Sequence, residues 1–321
     1  DSVLAGGKRL RPVFAYWGWR GLARAGEPAE PLLPALASLE LLHAFALVHD
    51  DVMDDSDLRR GRLTAHRRLA ADHAAAGRRG DPNRFGYSAA VLVGDLCLVW
   101  ADRLMANGGV PALAEARGHY DQMRIDAVAG QYLDLLGDAD PGAWSVERAL
   151  RVARHKTASY TVHRPLRFGA ALAGERARSA PRRAAVLQAF DRYGVTVGEA
   201  FQLRDDLLGA FGDPRVTGKG AGDDLRTGKP TTLMMLARRM ASRAQRRELD
   251  REAAAAAGEA GEAAVARLAA LLVDTGAAER VEAMIDQRVT TALAALDAAP
   301  VPADARHALR RLARAATRRR A

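Results

Sequence analysis

The chain has 321 residues and a net charge of +9, enough for one large domain or two small ones. It is 49% hydrophobic but 5% aromatic, and 69 residues are alanine, a balance that favours helices and argues against disorder. The single cysteine, Cys97, excludes an intrachain disulfide framework, and 44 arginines against 4 lysines look like compositional drift over helix surfaces rather than a nucleic-acid footprint.

The longest apolar stretch, Ser88–Ala101, is broken by Asp95, so no transmembrane segment is expected, and no secretory signal is visible. With a lone thiol, a cytoplasmic location is the expectation. Leu32, Leu36, Leu39, His43, Ala46 and Asp50 form one face of a long helix. Further helices are predicted over Ser88–Ala106, Val110–Leu136, Ser145–Leu172 and Arg182–Phe211. The tail reads as helices over Leu233–Ala257, Glu262–Leu272, Ala277–Leu296 and beyond Pro302. Breaks fall at Asn107–Pro111, Asp140–Gly142, Gly212–Gly222 and Ala299–Pro302. No strand-like alternation, repeat or long linker appears, so a single all-α domain over 1–321 is expected.

The first chemically informative segment is His49–Asp57, with five aspartates in eight residues at the end of an apolar helix. Such crowding is costly on a helix end without a counter-ion. Asp50, Asp51 and Asp54 share a helical face and form a hard-oxygen set suited to Mg²⁺, which bridges carboxylates to phosphate. About 155 residues later comes Phe201–Gly209, with Asp205 and Asp206. Two such segments suggest facing helices that hold metal ions and a diphosphate between them. Cations to match are present. The glycines of Gly6–Pro12 let backbone amides approach an anion beside Lys8 and Arg11, and Arg59–Arg60–Gly61 follow the first cluster directly. The other three lysines are Lys156, Lys219 and Lys229. In a chain where arginine replaces lysine so freely, each surviving lysine marks a place for a compact ammonium.

The ordered segments GGKRLRP (6–12), HDDVMDDSDLRRG (49–61), GQ (130–131), KT (156–157), FQLRDD (201–206) and GKGAGDDLRTGKPT (218–231) together resemble the trans-polyprenyl diphosphate synthase family. The Arg- and Ala-rich style is similar to its actinobacterial members. The resemblance implies an all-α helical bundle of the isoprenoid synthase type I fold with a central cavity. It implies catalysis through Asp50, Asp51, Asp54, Lys156, Asp205 and Asp206. Metal binding falls to Asp50, Asp51, Asp54 and Asp205, with three Mg²⁺ per active site once substrate is bound. Arg59, Lys156, Thr157, Gln202, Lys219 and Lys229 match positions that hold the allylic diphosphate. Gly7, Lys8, Arg11, His43 and Arg60 match the isopentenyl diphosphate pocket. A homodimer is the expected assembly.

Two departures from the family pattern stand out. Gly209 replaces the usual third aspartate of the second motif, which suggests a water in its place, and His163 stands where an acidic residue is expected. Phe45, five residues before Asp50, with the small Ala46 next to it, resembles the pattern of synthases making the twenty-carbon geranylgeranyl diphosphate. Farnesyl or longer products are the alternatives. A terpene cyclase would not need a second diphosphate pocket, an HD-type phosphohydrolase needs more histidines at ligand spacing, and a non-catalytic basic protein leaves the acidic clusters without a purpose.

Overall fold

The structure is a computed structural model. It describes residues 8–59, 61–107, 109–110, 112–139, 144–174, 179–212, 222–256, 258 and 261–318. Gly7, Arg60 and Lys219 lie outside the described residues. Almost all the rest is helical, as composition implies. The helices are α1 (Leu10–Leu22), α2 (Leu33–Met53), α3 (Ala65–Ala75), α4 (Pro82–Ala106), α5 (Leu113–Ala139), α6 (Val146–Ala153), α7 (Arg164–Leu172) and α8 (Ala180–Phe211). Then follow α9 (Asp223–Arg226), α10 (Thr232–Met240), α11 (Arg243–Ala256), α12 (Gly261–Asp274), α13 (Ala277–Asp297) and α14 (Ala303–Thr317).

Several starts are written locally. Asp81 caps α4 by accepting from the Asn83 amide, with Pro82 in the first turn. Ser145 and Thr231 cap α6 and α10 in the same way.

The structure departs from the sequence expectation in four places. Between α6 and α7 the backbone is π-helical over Arg154–His163, so the predicted helix 145–172 is not one regular α-helix. The predicted helix 233–257 is two, because Ala241 is extended and Ser242 starts the next turn, its Oγ accepting from the Gln245 amide. Helix α3 has no apolar stripe to betray it: its buried residues are His66, Ala70 and His73. A two-residue hairpin, Leu58–Arg59 paired antiparallel with Arg62–Leu63, follows α2 where no strand was expected.

The chain divides into two compact units, residues 1–121 with 165–183, and 122–164 with 184–321. In the first, α2 packs along α4, with α1 and α3 beside them. Phe14, Trp19, Leu39, Leu42, Ala90, Cys97 and Ala101 are buried there. Two histidines of α3 lie on α4 aromatics, His66 on Tyr87 and His73 on Phe85, with ring centroids 5.1 and 4.5 Å apart. In the second unit, Leu203, Leu207 and Ala210 of α8 share a core with Leu233–Ala237 of α10, Leu268 and Leu272 of α12, and Val281 and Ile285 of α13.

Among the described residues, one helical stretch, 30–53, is long and apolar enough by composition to cross a membrane, contrary to the expectation from unbroken apolar runs. Its Ala35, Leu36, Leu39 and Leu42 are buried within the fold, and it ends in the aspartates of the first acidic cluster.

Candidate active site

The first unit carries the first aspartate motif. Helix α2 runs to Met53, so Asp50 and Asp51 are helical, whereas Asp54 is the capping residue. The Asp54 amide still donates to the Asp50 carbonyl at 2.8 Å, which preserves the expected one-turn relation. Asp51 is buried, and Asp50 and Asp54 are half-buried. Burial pushes the Asp51 carboxyl above its usual range, against the pull of Arg59.

Arg59 sits on the hairpin and reaches back over the helix end. Its Nε donates to Asp51 at 2.6 Å and its Nη2 to Asp50 at 3.3 Å. Burial works against this charge, yet Asp51, Asp50 and Asp54 together hold the guanidinium above its usual range. The hairpin is itself fixed. Arg67 of α3 donates to Asp57 at 2.6 Å and to Asp55 at 3.0 Å, and Tyr87 of α4 also donates to Asp55. Asp55 takes a left-handed backbone, φ 49°, to make that turn.

In the same unit, Lys8 is exposed just ahead of α1, and Arg11 lies in its first turn. Arg9, between them, is left-handed (φ 48°) and ion-paired to Glu40 of α2. His43 is one turn from Glu40 on the same helix, so this pair ties the basic segment to the helix that carries His43. Phe45 and Ala46 are half-buried, and the Phe45 ring meets the His49 ring edge-on at 4.8 Å. His49 in turn bonds the Val91 carbonyl of α4 at 2.9 Å.

The second unit carries the second motif. Asp205 and Gln202 are half-buried on α8, while Asp206 is buried with both oxygens engaged. Gln202 Nε2 donates to one oxygen at 2.9 Å, and the Thr232 amide at the start of α10 donates to the other at 3.0 Å. Asp206 thus works as an anchor for α10 and for the loop before it, which holds Lys229. Burial, set against these two bonds and augmented by Asp224 and Asp205, pushes its carboxyl up to about 7.

At Gly209 the structure differs from the sequence expectation. The expected water-filled place is taken: a Cβ built on Gly209 would run into the carboxylate of Asp224. Asp224 lies in the 218–231 segment, where the sequence pattern alone assigns it no role. Its carboxylate now stands against the position that the family fills with aspartate. Gly209→Asp is therefore expected to be poorly tolerated rather than neutral. We expect a lowered thermal midpoint by calorimetry, and a wild-type midpoint would show that Asp224 moves aside freely.

Lys156 and Thr157 lie on the π-helical segment, half-buried, with Lys156 Nζ 2.5 Å from Asp134 of α5. His163, unexplained by sequence, closes that segment and pairs through Nε2 with Asp191 of α8 at 2.9 Å.

The donor chemistry suits Mg²⁺: the carboxylates of Asp50, Asp51, Asp54 and Asp205 offer the hard oxygens that such an ion takes. Among the described residues, no three acidic, His or Cys side chains converge into a closed cage.

A helical protein with two aspartate-rich helix segments, and with lysines and arginines set beside them, has the make-up of an enzyme that handles diphosphate esters. The family model for polyprenyl synthetase matches residues 1–271, and the chain belongs to that family. The relatives include geranylfarnesyl diphosphate synthase of Aeropyrum pernix, 31% identical over 87% of this chain and 80% of its own length. Geranylgeranyl diphosphate synthase of Mycobacterium tuberculosis is 32% identical over 92% and 77%. Among solved structures, geranylgeranyl pyrophosphate synthase from Corynebacterium glutamicum, complexed with isoprenyl diphosphate and magnesium, superposes with a TM-score of 0.90 at 42% identity. It covers 99% of this chain and 88% of that one. The protein is thus a trans-prenyltransferase of the all-α isoprenoid synthase fold, from a family that is generally Mg²⁺-dependent.

Proposed function

We propose that this chain condenses isopentenyl diphosphate with an allylic diphosphate in a Mg²⁺-dependent head-to-tail reaction whose main product is geranylgeranyl diphosphate. Bound Mg²⁺ supplies positive charge that neutralises the allylic diphosphate as it departs. Asp50, Asp51, Asp54 and Asp205 would hold it, with three ions per site once substrate is bound.

The chain's own residues do the rest. Arg59, Lys156, Thr157, Gln202, Lys219 and Lys229 grip the allylic diphosphate, while Gly7, Lys8, Arg11, His43 and Arg60 hold isopentenyl diphosphate. The allylic C–O bond breaks with its electron pair leaving on the diphosphate. The isopentenyl double bond then attacks the allylic carbon, and the new C–C bond leaves a tertiary cation. That cation loses a proton to form the new double bond. The departed diphosphate is the base, since Asp206 is committed to Gln202 and Thr232.

The observation that carries the product assignment is Phe45. A helix rises 1.5 Å per residue, so a side chain five positions before Asp50 stands about 7.5 Å down the helix. Leu42, Ala44 and Val48 around it are buried, whereas Phe45 and Ala46 are only half-buried, which favours a substrate-facing role over a core one. A bulky ring there is a floor for the growing chain. We expect Phe45→Ala to shift products beyond twenty carbons and Ala46→Phe to shift them to fifteen or fewer. Chromatography of dephosphorylated products checks this, and an unchanged distribution in both variants would remove α2 from chain-length control.

The function itself is tested by incubating the protein with isopentenyl diphosphate, allylic primers of several lengths and Mg²⁺. A cyclised hydrocarbon, or no elongated product, overturns it. We propose a homodimer as well. Leu92, Leu96, Val99 and Trp100 form an exposed apolar stripe on α4 of the first unit, and Ile125, Val128 and Tyr132 another on α5 of the second. Sedimentation equilibrium of the assayed protein reads this directly, and a monomer mass removes it.

A further inference from the structure

Ten consecutive residues of π-helix, Arg154–His163, are unusual, since π geometry normally appears as single turns and needs outside support. The support here is specific. Asp126, Gly130 and Asp134 stand four residues apart on one face of α5, and each meets the π segment. Asp126 is buried and accepts from Ser159 Oγ and Arg164 Nε, both at 2.8 Å, while Gln122 fills its other oxygen. Burial alone would raise the Asp126 carboxyl, but these donors hold it below its usual range.

Gly130 allows the closest approach. A Cβ there would lie 2.5 Å from Lys156 Cα and 2.6 Å from Lys156 N. One turn further, Asp134 meets Lys156 Nζ at 2.5 Å. From the other side, α8 holds both ends of the segment, through Glu199 with Arg154 and through Asp191 with His163. The residue on which all this bears is Lys156, gripped at its backbone by one rung and at its ammonium by the next.

We propose that Asp134 is a positioning residue for Lys156. The Asp126–Gly130–Asp134 face of α5 is the template that holds the π-helical segment and sets where the Lys156 ammonium meets the allylic diphosphate. This rests on the prenyltransferase reading for what Lys156 binds. The physical reason is the lysine stem: four rotatable bonds let an ammonium wander, and a carboxylate fixed on a neighbouring helix removes that freedom.

A double-mutant cycle tests it, with Asp134→Asn, Lys156→Ala and the pair. Two readouts are taken: kcat/KM with the allylic substrate varied, and calorimetric binding of inorganic pyrophosphate with Mg²⁺. Asp134→Asn should lower both by about tenfold, while leaving KM for isopentenyl diphosphate unchanged. The double variant should be no worse than Lys156→Ala alone.

Effects that multiply would show that Asp134 acts independently of Lys156, and unchanged pyrophosphate binding in Asp134→Asn would likewise overturn the proposal. Should circular dichroism show Asp134→Asn unfolded, the cycle is run with Asp134→Glu, for which the same non-additivity is expected. A wild-type protein that binds pyrophosphate yet forms no prenyl product would remove the functional reading, and the binding cycle alone would then judge the positioning of Lys156.

Discussion

Asp51→Asn and Asp205→Asn should each lower prenyl transfer by about 10²-fold or more, the scale of losing one electrostatic contact to a developing charge. The two aspartates sit on different helices in different units, so the two losses share no local cause. Asp51 contributes twice. In the proposed mechanism it holds the metal, and in the structure it accepts the Nε bond of Arg59, the residue proposed to grip the same diphosphate. Asparagine keeps the size and one acceptor but removes the charge that serves both. Asp205 is half-buried beside Asp206, whose oxygens are already committed, so Asp206 cannot take over. Initial rates at saturating Mg²⁺, with circular dichroism to confirm folding, read the effect. Wild-type rates in both variants, or full activity of the unmutated enzyme in EDTA, would end the metal-dependent account.

Asp206→Asn should stabilise the metal-free protein at alkaline pH. The Asp206 carboxyl is raised from 3.8 to about 7, chiefly by burial. The folded state therefore binds a proton more tightly than the unfolded state does. Its contribution is fully present below about pH 4 and is lost as pH rises through about 7. At 1.36 kcal/mol per unit, the loss amounts to roughly 4 kcal/mol by pH 8. Asparagine has no proton to lose, and it can still serve both partners. Its carbonyl accepts from the Thr232 amide, and its amide faces a Gln202 side chain turned by half a rotation. Thermal unfolding in EDTA at pH 5 and pH 8.5 is the measurement. The variant's advantage should be large at pH 8.5 and shrink toward pH 5. An advantage independent of pH would mean that the buried carboxylate is not what wild type gives up.

Both expectations depend on features that the linear chain displays unevenly. The helices with continuous apolar periodicity, α2, α8 and α13, stand close to where the pattern puts them, because burial of one face is a repeating demand that leaves a repeating mark. Helix α3 escaped because its buried face is two histidines and an alanine, which no apolar count registers. The hairpin after α2 escaped because two residues per strand are too few to alternate, and because Arg67 and Tyr87, far along the chain, hold it in shape.

The same division runs through the site. Aspartates crowded on a helix end announce themselves, since their repulsion needs a cation to make sense, and four lysines amid 44 arginines stand out by composition alone. Family membership followed from the order of those motifs. Residues whose work is to hold others carry no such mark. Asp126 and Asp134 are single acids in a chain with many, Asp224 is half of an acidic pair inside the last motif, and only the fold shows Asp126 beneath Ser159, Asp134 against Lys156 and Asp224 beside Gly209. Composition, helical periodicity and charge density are properties of neighbours in sequence, so the chain by itself determined the helical class, the two acidic motifs and the chemistry they suit. The π-helical register, the anchoring role of Asp206 and the filled place at Gly209 come from contacts between residues 15 to 45 positions apart, which only tertiary packing decides.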